Sequence, residues 1–215
     1  MTIGTAWLAD PRCIAFGGYR VVLARGLSAD ELAGRLAAAV LYDAEHIAVA
    51  VGEHTGESLL RLMDETYGDP SDGIGLRLGH TGDWSYAVAY GGWPGEFGPP
   101  APLSEGGAHV CVLEYEEENG KPVPPDFAYF HDGRLLSGCN LHLDASWGYR
   151  GVDGDPATAA RLQELLTAAG LPDPDRDRGD VHRTALSVLD GFFGFALPRD
   201  EIVTGTLPAV LLEPA

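Results

Sequence analysis

The spacing of hydrophobic residues predicts a strand, a helix and a second strand at the start of the chain. The mostly apolar stretch Cys13–Ala24 ends in β-forming residues and is typical of a strand. Ser28 lies three residues before Glu31 in a capping-box arrangement, and apolar residues then recur every four positions as far as Leu41, which predicts a helix. Residues 46–51 form another apolar run of strand character. We therefore expect the chain to open with a β-α-β unit.

From residue 73 onward the period changes to two, which is the spacing of a strand that buries one face. Apolar residues alternate with small or polar ones in 74–78 and again in 84–90, and a glycine-containing turn lies between them, so a hairpin is predicted. Two further strands are predicted at 109–115 and 127–131, and a last short strand at 207–212.

A second hairpin is predicted from the two-residue loop Asp132-Gly133, whose composition favours a type I′ turn. Because the length of such a loop fixes which residues face each other, the sequence also predicts a register. The expected pairs are His131 with Arg134, Phe130 with Leu135, and Tyr129 with Leu136.

The C-terminal third is predicted to be mostly helical. Asp155-Pro156 is typical of an N-cap followed by the first helical residue, and Gly170 marks the end of that helix. Asp180 is predicted to cap a further helix. Together these elements predict an α+β fold in a single domain, residues 1–215. We expect a mostly antiparallel sheet of about five to six strands, with an opening β-α-β unit and C-terminal helices packed on one face.

Charge is the unusual feature of the composition. The 14 Lys and Arg residues stand against 32 Asp and Glu residues, the formal net charge is −18, and Lys121 is the only lysine. Such a surface repels a phosphate backbone and an anionic membrane, so neither nucleic acid nor a membrane is an expected partner. The carboxylates concentrate in residues 114–118 and 173–180. They indicate an acidic face for a basic protein partner, or simply a solubilising surface.

The beginning of the chain and its cysteines predict a cytoplasmic protein. The first residues show no basic segment followed by a long apolar run, and no stretch of about 18 apolar residues predicts a membrane span. The three cysteines are an odd number at unrelated spacings, which favours free thiols in a reducing compartment: Cys13, Cys111 and Cys139.

Metal, cofactor and nucleophile chemistry all lack a sequence pattern. His109 and Cys111, with Cys139 and His142, offer the ligand types of a zinc site. However, residues three apart on one strand point to opposite faces, so no metal site is predicted. The glycine-rich stretches lack the residues of a phosphate-binding loop or a dinucleotide fingerprint, and no catalytic set or cofactor is predicted.

Five residues are the candidate binding residues. Four of them form the densest acidic run, at a predicted strand end, where the alternative interpretation is a solvated loop. The fifth is a tryptophan in the Gly/Pro-rich connection 91–107. They are Glu114, Glu116, Glu117, Glu118 and Trp93.

Five segments together carry a family resemblance that runs through most of the chain: 22–32, 83–88, 92–93, 127–136 and 185–193. They resemble a family of uncharacterised actinobacterial proteins, common in streptomycetes and known only as a domain of unknown function. The family pattern has no shared catalytic or metal-ligating set. The resemblance therefore implies a cytoplasmic actinobacterial setting but no activity. In the loop before Trp93 this sequence has Gly91 where the family usually has Asn.

Three classes of function fit these observations. The charge and the lack of a catalytic motif favour a protein-binding or regulatory module, in the manner of an acidic immunity protein that covers a basic toxin. An enzyme that uses dispersed acid and base residues, for example His131 or His142 with nearby carboxylates, is an alternative. A small-molecule binder is the third class, with three tryptophans as wall residues: Trp84, Trp93 and Trp147.

Overall fold

One antiparallel sheet of eight strands runs through the protein, and helices cover both of its faces. The computed structural model describes residues 3–14, 18–41, 44–92, 94–116 and 123–215. The strand order across the sheet is β2-β8-β3-β4-β1-β5-β6-β7. The strands are β1 (Gly18–Arg25), β2 (His46–His54), β3 (Ile74–Thr81), β4 (Trp84–Gly91), β5 (His109–Glu116), β6 (Asp126–His131), β7 (Arg134–Asn140) and β8 (Leu207–Pro214). The helices are α1 (Ala29–Ala38), α2 (Gly56–Tyr67), α3 (Pro156–Ala168), α4 (Arg178–Phe193) and α5 (Arg199–Val203).

The α+β class and the antiparallel sheet are confirmed, but the expected five to six strands are too few. The opening and closing strands join the same sheet as the two hairpins, because β8 inserts between β2 and β3 and pairs with both. The chain does open with a strand, a helix and a strand. However, β1 and β2 do not pair, because β8, β3 and β4 lie between them.

The two faces of the sheet bury different helices. Side chains such as Val21 and Leu23 of β1 pack with α2, α3, α4 and α5, so the C-terminal helices share one face. Val22 and Ala24, which alternate with them, pack with α1 on the other face. We call these the α4 face and the α1 face. Within the described residues, no helix combines the length and the apolar composition that crossing a membrane would need.

Local capping chemistry behaves as predicted at two helices and differs at a third. Ser28 and Glu31 form the capping box of α1. The carboxylate of Asp155 accepts a hydrogen bond from the Thr158 N–H at the start of α3. The prediction that Asp180 caps the next helix is wrong: Asp177 is the N-cap of α4. Asp180 lies inside the first turn of α4, where its carboxylate pairs with Arg183 instead.

The Asp132-Gly133 hairpin forms, but its register slips after two pairs. Both turn residues have positive φ, +48° and +75°, as a type I′ turn requires. His131 faces Arg134 and Phe130 faces Leu135, which confirms those two pairs.

The third predicted pair is wrong, because Tyr129 faces Ser137 and Leu136 is the extra residue of a β-bulge. The Leu136 carbonyl accepts a hydrogen bond from the Asp155 N–H at 3.0 Å. Gly154 must be a glycine here, since a Cβ would lie 2.5 Å from that carbonyl oxygen.

A fully buried arginine joins β3 to the C-terminal part of the fold. The Arg77 side chain lies on the α4 face between two glycines, Gly75 and Gly79, with 0% of the residue exposed. Its guanidinium donates to the His54 carbonyl (2.9 Å) and to the Tyr90 hydroxyl (2.9 Å). It also donates to the three backbone carbonyls at the end of α5: Glu201 (3.1 Å), Ile202 (2.6 Å) and Gly205 (2.6 Å).

Replacing Arg77 by methionine should destabilise the protein by about 3–5 kcal/mol, because several buried carbonyls would lose their donor. R77K should recover only part of this loss, since an ammonium has three donors and lacks the planar fork. Urea unfolding followed by circular dichroism measures both. R161M on the exposed surface of α3 is the matched control and should cost less than about 0.5 kcal/mol. Equal decreases in the free energy of unfolding of R77M and R161M would contradict the role given to Arg77.

Candidate functional site

Two of the five predicted binding residues lie in the described part of the chain, and they line different cavities. Glu114 lies on β5 and lines a groove on the α1 face. Glu116, the last residue of β5, lines a separate cleft that also contains Tyr115. Glu117, Glu118 and Trp93 lie outside the described residues.

The groove on the α1 face has a charged floor and apolar walls. Its volume is about 460 Å³. Arg20, Glu114 and Asp126 supply the charges, and we call the site the acidic groove. The segment 97–100 forms one wall and is held to the end of α1 by the Gly98 N–H, which donates to the Ala39 carbonyl at 2.7 Å. The other wall residues are Leu41, Phe97, Pro99, Pro100, Val112 and Ala128.

Strand register brings the three charged residues together. Arg20 of β1 faces Glu114 of β5, and Glu114 faces Asp126 of β6. Side chains directly opposite each other in an antiparallel sheet lie about 4.5–5.5 Å apart at Cβ, so the three form one row across three strands. The Arg20 and Glu114 side chains form an ion pair. The Arg20 guanidinium also lies over the Phe97 ring, 4.2 Å from its centroid.

The row holds two carboxylates and one cation, and burial and the neighbouring charges together raise the pKa values of both carboxylates. Burial raises the pKa of Glu114, and the nearby Arg20 only partly opposes that shift. Partial burial and the negative charge of Glu114 raise the pKa of Asp126 to about 6. Within the part of the chain that the structure describes, Asp126 has no ion pair of its own. The groove therefore contains a carboxylate that no described residue neutralises.

In the second acidic segment, residues 173–180, one carboxylate is paired with an arginine: Asp180 pairs with Arg183 at 3.1 Å. The arginines in and near this segment also pair with carboxylates from elsewhere in the chain, Arg178 with Asp144 at 2.6 Å and Arg183 with Asp10 at 3.2 Å.

The other candidate residues separate into core and cavity positions. Trp84 is buried in the core of the α4 face, so it is not a wall residue. His131 stacks on His109 with ring centroids 4.0 Å apart, and the His109 ring is hydrogen-bonded to the Tyr129 hydroxyl. His142 and Trp147 line the same cleft as Glu116. The enzyme and small-molecule alternatives thus converge on this cleft.

The cysteines are not gathered into a site. Cys111 is buried on the α4 face, and burial raises the pKa of its thiol. Burial also raises the pKa of Cys139, to about 12. Within the described residues, no three His, Cys, Asp or Glu side chains are arranged to hold a metal ion.

Three residues of these two cavities were not predicted as site residues from the sequence: Arg20, Asp126 and the buried His182. Arg20 and Asp126 become neighbours of Glu114 only through the pairing of β1, β5 and β6, which local patterns do not reveal. His182 did leave a signal. It lies three, four and seven residues before Ala185, Leu186 and Leu189, so it occupies the apolar stripe of α4.

Comparison with known proteins identifies no relative: no family model, no curated protein and no solved structure matches the chain. The resemblance to an uncharacterised actinobacterial family therefore stays a prediction, and the function is argued from geometry and charge.

Removing the Asp126 charge should stabilise the protein above pH 6. The raised pKa means that the folded state holds the Asp126 proton more tightly than the unfolded state does, so this group costs stability as pH rises from about 4 to 6. D126N should melt at a higher temperature than the wild type. This difference should grow as pH rises from about 4 to 6 and then stay constant at about 1–3 °C.

Calorimetric melts at a series of pH values measure this difference. D64N removes an exposed carboxylate from α2, on the other face of the sheet, and is the matched control. The same pH-dependent increase in D64N would show that total charge, and not Glu114, causes the effect.

Proposed function

We propose that the protein is an acidic binding module for a basic protein partner, and that the acidic groove receives a lysine or arginine side chain of that partner. The observation that carries the proposal is the row of Arg20, Glu114 and Asp126, in which Arg20 pairs with Glu114 and Asp126 has no ion pair among the described residues. A second cation placed beside Asp126 would oppose both burial and the repulsion from Glu114, which together raise the pKa of Asp126.

The shape of the groove also suits a long basic side chain. Phe97, Pro99, Pro100 and Ala128 offer apolar walls along which a methylene stem can pack. The carboxylates lie at the floor, where the charged end of that side chain would arrive. Leu41, whose side chain is largely exposed, extends the apolar surface at the rim.

The charge of the whole molecule supports the same class of partner. A net charge of −18 attracts a basic protein over about one Debye length and raises the rate of encounter, more strongly at low salt. The groove then supplies a specific contact, which total charge alone does not.

A peptide titration tests the proposal directly. The probe is a ten-residue Gly/Ser peptide with one central arginine, and its partner probe carries citrulline, which has nearly the same shape without the charge. We expect the arginine peptide to shift the NMR signals of groove residues such as Gly98 and Ala128, and the citrulline peptide to leave them in place. D126N should weaken the binding of the arginine peptide by about tenfold in Kd, because a charge-assisted contact is lost.

The same titration at several pH values gives a second, independent readout. Affinity should fall as pH drops through about 6 in the wild type, since protonated Asp126 no longer attracts a cation, and this dependence should be absent in D126N. D64N is again the control for total charge. Equal weakening by D64N and D126N, or shifts spread over the whole surface, would mean that the peptide binds to general charge and would overturn the groove as the site.

A further inference from the structure

A small cleft lies at the end of the sheet where β5 finishes. Its volume is about 270 Å³. Tyr115 and Glu116 end the strand on one side, His142 follows β7, and His182 comes from the second turn of α4. Trp147 stands at the mouth with 44% of its surface exposed. We call this site the imidazole cleft. Among the described residues, it shares no lining residue with the acidic groove.

Three rings form a corner in the cleft. The ring centroids of Tyr115, His142 and His182 lie 5.7–6.1 Å apart, and their planes meet at 73–83° in every pair. Near-perpendicular contacts of this kind are a favoured arrangement of aromatic rings. The corner offers a flat guest both ring faces and ring edges.

The back of the corner is held rigid. His182 is only 2% exposed, and its Nε2 is hydrogen-bonded to the Tyr19 hydroxyl at 2.7 Å. Tyr19 is itself buried and stacks on the His182 ring, with centroids 5.9 Å apart. Because these side chains are already ordered in the free protein, binding a ligand does not carry the entropic cost of ordering them.

The corner of the cleft formed by His142 and His182 is polar but uncharged, and the charged lining residues lie around it: Asp10, Glu116 and Arg178. Asp10 is paired with Arg183 and Arg178 with Asp144, and the side chains of Asp10 and Arg178 are largely exposed. Burial, together with the charges of His142 and Arg183, lowers the pKa of His182 to about 3. Burial and Arg178 lower the pKa of His142, against the opposing effect of Asp144 and Asp177. Both imidazoles are therefore neutral at pH 7. Each neutral ring offers one nitrogen donor and one nitrogen acceptor.

His142 lines the cleft with its polar ring atoms unpaired among the described residues. In the described part of the chain, neither of its ring nitrogens makes a hydrogen bond to another residue, although the ring is half-buried. An apolar ligand would bury these nitrogens unsatisfied, which costs free energy. A charged ligand would compete with existing ion pairs, because Arg178 is already paired with Asp144 at 2.6 Å and Asp10 with Arg183 at 3.2 Å.

We propose that the imidazole cleft binds a small, uncharged, planar heteroaromatic molecule whose edge carries both a hydrogen-bond donor and an acceptor. The ring packs into the corner of Tyr115 and His182 and beside Trp147, and its edge hydrogen-bonds to His142. The cleft is slightly smaller than the roughly 300–1,000 Å³ of drug-sized sites, so a single or fused ring fills it.

A panel of small probes tests the inference. Adenine and nicotinamide represent the proposed class, benzoate and benzylamine are charged planar molecules, and cyclohexanol is neither planar nor aromatic. Saturation-transfer NMR at pH 7.5 ranks their binding. We expect adenine or nicotinamide to bind with a Kd on the order of 1 mM or lower, and the other three to bind at least about tenfold more weakly.

Variants then locate the binding. H142A should weaken the binding of the neutral heteroaromatic probe by about tenfold in Kd, because the hydrogen bonds between His142 and the probe are lost. H131A removes a half-buried, ring-stacked histidine outside the cleft and should leave binding unchanged. W147A should weaken binding severalfold, because the ring loses an aromatic contact. Since Trp147 is exposed, this variant should fold even if H142A does not. D126N should have no effect, which separates this site from the acidic groove.

Three results would overturn the inference. Tighter binding of benzoate or benzylamine would assign the cleft to a charged ligand. Equal binding to wild type, H142A and W147A would place the heteroaromatic probes elsewhere. The absence of binding by both adenine and nicotinamide would remove the proposed ligand class.

Discussion

The buried guanidinium of Arg77 is the interaction on which the arrangement of the C-terminal part depends. A charge with no exposed surface is costly unless hydrogen-bond acceptors surround it, and here the acceptors are the His54 carbonyl, the Tyr90 hydroxyl and the end of α5. α5 has only five residues, too few for a helix that is stable alone. Arg77 satisfies carbonyls that such a short helix leaves unpaired, and a positive charge at this end of a helix is favourable. The side chain therefore stabilises α5 and fixes the position of β2 and β8 beside β3.

The distribution of charge is more selective than the composition suggests. Arginines stand beside carboxylates in the segment around α4, where Arg178 and Arg183 each pair with acidic partners. In the row of Arg20, Glu114 and Asp126, the guanidinium pairs with Glu114, and Asp126 has no ion pair among the described residues. The acidic groove thus places an unpaired carboxylate next to apolar walls. The imidazole cleft differs from it, since its two histidines are neutral and the carboxylate of Asp10 at its edge is paired with Arg183.

Sequence patterns predicted the features that local chemistry decides. The capping box of Ser28 and Glu31, the Asp155 cap of α3 and the Asp132-Gly133 turn all depend on residues a few positions apart, and all three form. The Leu136 bulge was not predictable, because it depends on a segment nearly twenty residues away that hydrogen-bonds to its carbonyl. Arg77 was misleading for a different reason. Its alternation with Ile74, Leu76 and Leu78 indicated one solvated face, whereas helices cover both faces of the sheet.

The same limit applies to the sites. Glu114 could be proposed from the acidic run alone, but its neighbours Arg20 and Asp126 are contributed by strands whose pairing only the folded sheet reveals.

The insertion of β8 between β2 and β3 has a consequence for how the protein reaches this structure. β2 pairs only with β8, and the two strands are about 150 residues apart along the chain. Closing so long a loop is entropically costly and slow, so the β3–β4 hairpin can form long before β2 acquires its place in the sheet. During synthesis, β2 and its exposed Ile47 and Val49 must wait for β8 to emerge. Until β8 has been synthesised and has paired with it, β2 is a strand open to pairing with other chains.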